Sequence, residues 1–112
     1  MSEKRKHRRV NLLYYLKVID LTTGIKFGHL VDISSGGFKM LSKAPVNPGE
    51  ELHCRIELPE TVCGHETFTA KVHCCWCKKD INPDYFAAGL KFTGLSLAGI
   101  KIIRVLINIY EL

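Results

Sequence analysis

Between residues 52 and 77 the chain twice alternates apolar and polar side chains with a period of two, and this pattern limits the fold more than any other feature. Leu52, Cys54, Ile56 and Leu58 alternate with His53, Arg55 and Glu57. Phe68, Ala70, Val72, Cys74 and Trp76 alternate with Thr69, Lys71, His73, Cys75 and Cys77. Successive side chains on a strand point to opposite faces, so each segment reads as a strand with one face in a core. Tyr14 to Asp20, rich in aromatic and β-branched types, reads as a first strand. The tract Leu21-Thr22-Thr23-Gly24 turns the chain, and Ile25 to Ser34 reads as a second strand. Ser35-Gly36-Gly37 breaks that pattern and Phe38 to Leu41 resumes it, giving two hairpins with glycine where a positive φ is expected. A loop at Pro45 to Gly49 and a turn at Asn82-Pro83-Asp84 precede the later strands, the last being Phe86 to Phe92. About six short strands between turn signals predict an antiparallel barrel or sandwich.

The tail follows another period. Ser96 is placed to cap a helix running to about Tyr110, with Lys101, Arg104, Asn108 and Glu111 on one narrow polar stripe. A helix resting on a barrel needs an apolar face of only about 100°. This one is wider, so part of it is expected to meet a partner, and it offers a surface for self-association. The expected division is a basic arm at 1–12, a barrel at 13–95 and a helix at 96–112, within the single domain that 112 residues allow. No run approaches the roughly 18 apolar residues of a spanning helix. No secretory signal is recognisable, because the Leu12 to Leu16 stretch is short and Lys17 interrupts it. The five cysteines are odd in number and lack a secreted disulfide spacing, so a cytoplasmic location is expected.

The formal net charge of +5 favours an anionic partner, and the excess is local. Lys4, Arg5, Lys6, Arg8 and Arg9 crowd the N-terminus with only Glu3 against them. Such a segment is expected to be flexible, since like charges repel and little apolar surface is available to bury. Arg5 and Arg9 form Arg-x-x-x-Arg. A guanidinium fork holds phosphate oxygens bidentately, takes guanine O6 and N7, and stacks on purines. Two of them lie roughly 13 Å apart in a fully extended chain, at about 3.3 Å per residue, and come closer if the arm curls. The same residues also read as a solvated basic tail.

Asp32-Ile33-Ser34-Ser35-Gly36-Gly37 is the second constellation. On a regular strand Asp32 and Ser34 share one face while Val31 and Ile33 share the other. A carboxylate accepts the two N–H groups of guanine's Watson–Crick edge, a hydroxyl donates to phosphate, and glycine lets a ligand approach the backbone. The plainer reading is a hairpin stabilised by its own Asp or Ser side chain.

Taken together, Arg-x-x-x-Arg ahead of the first strand and Asp-x-Ser-x-x-Gly at the second hairpin resemble the PilZ family of bacterial receptors. The spacing from Arg9 to Asp32, Trp76 near a strand end, the Ala88-Gly89-Leu90-Lys91-Phe92 strand and the closing helix fit the same resemblance. It implies a mainly β fold, a six-stranded antiparallel barrel with a C-terminal helix, that binds cyclic di-GMP on its outer face. By that similarity Arg5 and Arg9 clamp guanine and phosphate, while Asp32, Ser34 and Gly37 hold the ligand against the barrel. Lys4 and Arg8 are secondary phosphate contacts, and Gly36 and Trp76 secondary site residues. The residue before the first arginine, Lys4, bears on whether one or two ligand molecules bind, and both stoichiometries stay open. No further cofactor is implied, and a downstream protein is the expected partner.

Other readings carry less. By alternation Trp76 shares the face of Phe68, Val72 and Cys74 and is a core residue; at a barrel rim it would stack on a base. His73, Cys75 and Cys77 share a strand face, yet no second ligand pair completes a zinc site, so no metal is expected. Asp32 and Ser34 have no histidine base, and no nucleophile elbow or phosphate loop is present, which argues against an enzyme. A single-stranded nucleic-acid barrel would expose aromatics on one sheet face, whereas here most fall on apolar faces. An adaptor acting through the closing helix, independent of nucleotide, would lose its partner on polar substitution at Ile102 or Ile109.

Overall fold

The computed structural model describes residues 10–110, with side chains from 15 to 109. Six antiparallel strands, β1 (Val10–Asp20), β2 (Lys26–Ile33), β3 (Gly37–Ser42), β4 (Glu51–Val62), β5 (His65–Lys79) and β6 (Phe86–Leu95), precede one helix, α1 (Leu97–Tyr110). They close into a barrel in the order β1-β2-β3-β6-β5-β4, with Val18, Ile19 and Asp20 of β1 pairing Ile56, Arg55 and Cys54 of β4. Closure removes the free edges that an open sheet would expose. The mainly β barrel with its C-terminal helix is thus the expected architecture.

The alternation of β4 and β5 does what its period predicts. Cys54, Ile56, Phe68, Ala70, Val72 and Cys74 are buried, together with Leu16, Val18, Leu30, Ile33, Phe38, Met40 and Leu90 from the other strands. Most strands run past their expected limits, whereas β2, Lys26–Ile33, is shorter at both ends than the expected Ile25 to Ser34. β1 begins at Val10, so residues 10–12, assigned to the arm by sequence, are strand, with Val10 opposite Ile33 and Asn11 opposite Asp32. Backbone pairing extends a strand past its apolar residues, and pairing partners are invisible in a local window.

The helix is capped as expected, with the Gly99 amide donating to Ser96 Oγ at 3.0 Å. Ile102, Ile103 and Leu106 are buried against the barrel, each contributing roughly 1.5–3 kcal/mol of apolar transfer. Val105 and Ile107 pack beside them, so the helix uses more of its apolar circumference on the barrel than a narrow stripe requires. Ile102 is therefore not an outward docking residue; Leu97, Ile100 and Ile109 are the exposed ones.

Two bulges decide which side chains face outward. On β2 the register shifts between Leu30 and Asp32, leaving Val31 as the extra residue. Leu30 and Ile33 both stay buried while Val31 is half-exposed, so Val31 and Ile33 do not share a face. On β5 the register shifts between Cys74 and Trp76. Cys75 is exposed, Trp76 lies half-buried outside, and Cys77 packs against the core with its Sγ 3.4 Å from the Val46 amide. The expected common face of His73, Cys75 and Cys77 is thereby broken, and the core placement of Trp76 is reversed. Among the described residues no group of three His, Cys, Asp or Glu side chains is arranged to hold a metal ion, and all five cysteines are free thiols.

Candidate functional site

The barrel exterior is organised in rows that run across its strands. Ile33, Phe38, Leu90 and Cys74 are successive partners across β2, β3, β6 and β5, and all four point into the core. The row beside it therefore faces out: Asp32, Lys39, Gly89 and Trp76. On the other side of the buried row lie Gly37, Lys91, His73 and Glu51, with His73 Nδ1 against the Glu51 carboxylate. An acidic side chain, two lysines and one indole thus share a surface of four strands. Asp32 is sunk into it, only 9% exposed.

Ser34 and Gly37 build the end of this surface. The Ser34 amide donates to the Gly37 carbonyl at 2.9 Å, and the Ser34 hydroxyl donates to the same oxygen at 3.3 Å. That hydroxyl also accepts from the Gly36 amide at 3.3 Å. The turn is thus stabilised by its own serine, the plainer of the two readings of the motif. Gly24, Gly49 and Gly64 take positive φ, whereas Gly36 and Gly37 do not. The positive φ expected in the first hairpin is present at Gly24, and the one expected in the second is not. Gly37 has a different necessity: a Cβ there would collide with the Leu90 carbonyl on β6. The absence of a side chain lets β3 lie against β6 at the very end of their pairing, and the Gly36 carbonyl then accepts from the Phe92 amide at 2.9 Å.

Trp76 is placed by the same logic at the opposite end of the row. Its indole lies directly over Gly89, where any Cβ would overlap the ring nitrogen. Lys78 Nζ sits 5.5 Å from the ring centroid, close enough for a cation–π contact. The indole is thus a half-exposed plate held against backbone on one side. Lys39 was not singled out from sequence, and Gly89 and Lys91 only as part of a strand motif. Their outward placement follows from the period of two around Phe38–Met40 and Leu90; Lys39 is set opposite Asp32 by β2–β3 pairing, and Gly89 and Lys91 are brought to the same surface by β3–β6 pairing.

Arg5, Arg9, Lys4 and Arg8 lie outside the described residues, as does the expected flexibility of their segment. The chain that carries them joins the barrel at Val10, the partner of Ile33, beside Asp32 and the Ser34–Gly37 turn. No helix among the described residues is long and apolar enough to cross a membrane.

Comparison with known proteins agrees with this architecture. No curated protein matches the chain by sequence. Among solved structures, the PilZ domain of YcgR from Escherichia coli with c-di-GMP superposes with a TM-score of 0.73 at 14% identity, covering 97% of this chain and 92% of that one. The K. pneumonia MrkH–c-di-GMP complex gives a TM-score of 0.75 at 18% identity over 99% of this chain. Bacillus subtilis MotI/DgrA, an inhibitor of motility, gives 0.72 at 19% identity over 96%. The chain spans about half the length of the latter two, 55% and 53%. At these identities the superpositions speak for the fold. The sequence itself matches the PilZ domain over residues 3–108, and the chain belongs to the PilZ domain family.

Proposed function

We propose that this chain is a receptor for cyclic di-GMP, bound on the outer face of β2, β3, β6 and β5. The observation that carries the reading is the outward row with Asp32 at one end and the Trp76 indole over Gly89 at the other. Asp32 accepts from the N1–H and exocyclic N–H of a guanine edge. Lys39 and Lys91 lie on the same face and meet phosphate charge. The indole offers a stacking surface to a purine, worth about 1–3 kcal/mol per base at comparable sites. Arg5 and Arg9 close over the ligand from the segment ahead of Val10, taking phosphate oxygens or guanine O6 and N7 bidentately. Ser34 contributes through the turn it stabilises, and Gly37 through the close β3–β6 approach that carries Asp32 and Lys39 into place. That two of the similar solved structures contain this ligand, one of them a PilZ domain, supports the choice.

The response belongs to the same reading. Closing Arg5 and Arg9 on the nucleotide gives the N-terminal segment a fixed relation to the barrel, and a downstream protein reads that new surface. Leu97, Ile100 and Ile109, the exposed apolar residues of α1, are available for such contact or for a second copy. Nothing in the proposed site performs chemistry on the ligand.

Calorimetric titration with cyclic di-GMP tests the proposal beside Arg9→Ala, Asp32→Ala and a cyclic di-AMP control. Loss of a charge-assisted contact of about 1.5–3 kcal/mol weakens each variant by roughly 10- to 100-fold. The adenine analogue, lacking the paired donors, binds at least as poorly. Wild type without saturable heat, or Asp32→Ala binding as wild type does, would overturn it. Hydrogen exchange of residues 1–9 tests the response separately, since ordering slows it on ligand addition.

A further inference from the structure

A second concave feature lies at the other end of β2 and β3, away from the Asp32–Gly37 turn. It is a cleft of about 480 Å³ whose rim carries Lys26, His29 and Lys43 and whose apolar surfaces are Phe27, Leu41 and Tyr85. Its size falls in the range of small-molecule sites, about 300–1,000 Å³. None of its lining residues is acidic. Asp20, at the end of β1 beside Lys26, is occupied in its own turn, accepting from the Thr22 amide at 2.9 Å and the Thr23 hydroxyl at 3.3 Å. Cations therefore converge here from β2 and the loop after β3. Lys17 is the cross-strand partner of His29, and Leu41 is its partner on the far side.

The geometry points to a second ligand site in this cleft, for a small organic anion that carries its charge on an aromatic or apolar body. Lys26, His29 and Lys43 meet the anionic group, and Phe27, Leu41 and Tyr85 take the ring. A bare anion would leave the apolar walls unused, and a neutral ring would leave the cations without a partner. The electrostatics of the cleft agree: burial first, then Lys26 and Lys17, hold the His29 imidazole below its ordinary titration range. An anion placed among them opposes the two lysines and raises it.

The probes are phenyl phosphate, inorganic phosphate and phenol, titrated into the full chain while the His29 ring and cleft amides are followed by NMR. Phenyl phosphate is expected to shift these resonances, to raise the His29 pKa, and to bind at least tenfold more tightly than either fragment. Lys26→Glu combined with Lys43→Glu, both solvent-exposed positions, weakens it by tenfold or more with an unchanged melting temperature. Asp32→Ala leaves it unchanged, which separates this site from the proposed nucleotide face. The inference is overturned if the cleft resonances do not move. Equal binding of inorganic phosphate and phenyl phosphate overturns it too, showing only a charged surface, as does undiminished binding by the double variant.

Discussion

The β2–β3 and β4–β5 hairpins reverse the chain by opposite means. The β4–β5 turn is made by backbone dihedrals: Cys63 at φ 52° and Gly64 at φ 80° sit between the paired Val62 and His65, the pattern of a two-residue primed turn. Both turn residues are exposed, and a Cβ at Gly64 would meet nothing. The β2–β3 turn uses no left-handed residue. Its shape comes from the Ser34 hydroxyl and from the contact of Gly37 with Leu90 on another strand. A turn made by dihedrals needs only residues that tolerate them. A turn made by contact is tied to the rest of the barrel, which is what a binding surface requires of its edge.

Substitutions at the two turns can break that distinction. The largest effect is expected for Gly37→Ala, because the new methyl meets backbone that has no room to yield. A cost of about 2–3 kcal/mol is expected, read as a lowered denaturation midpoint at constant slope, with nucleotide affinity falling as β3 moves. A midpoint within experimental error of wild type would show the β2–β3 turn to be as tolerant as the other. Gly89→Ala comes next. Its methyl meets the Trp76 indole, a side chain that can swing away, so about 1–2 kcal/mol is expected, with a red-shifted tryptophan emission as the indole enters water. Ser34→Ala removes the hydroxyl bonds of a part-buried turn and costs about 1 kcal/mol. Amide exchange at Gly36 should quicken while the β4–β5 turn is unaffected.

Cys63→Asn is the smallest effect and has the opposite sign. A non-glycine residue in the left-handed region costs about 1–2 kcal/mol, and asparagine relieves part of it. A gain of a few tenths of a kcal/mol is expected from thermal melts, without change in ligand binding. Loss of stability there would mean that the Cys63 side chain has a contact of its own.

Much of the fold was legible because its signals are local. Period-two runs gave β4 and β5 and their buried faces, and Ser96 marked the start of α1. The misreadings share one cause. Val31, Trp76 and Cys77 were assigned to faces by uninterrupted alternation, and a single extra residue at a bulge reverses every assignment beyond it. Nothing in a one-strand window announces a bulge, since it arises from mismatch with a neighbouring strand. The proposed site was legible in parts for the same reason. Asp32, Ser34 and Gly37 stand close together in sequence and Lys39 faces Asp32 across the β2–β3 hairpin, whereas Gly89 and Trp76 join their row only through β3–β6 and β6–β5 pairing.

By itself, then, the sequence determined the strands, the closing helix, the family, and the identity of the charged groups, because periodicity and residue chemistry act over a few neighbours. Only the tertiary structure decided that Gly37 serves close packing rather than a positive φ, that Trp76 lies outside over Gly89, and that the cations of β2 and the β3–β4 loop gather around one cleft. Those outcomes depend on strand register and barrel closure, which are set by the free energy of burying all the inner faces at once.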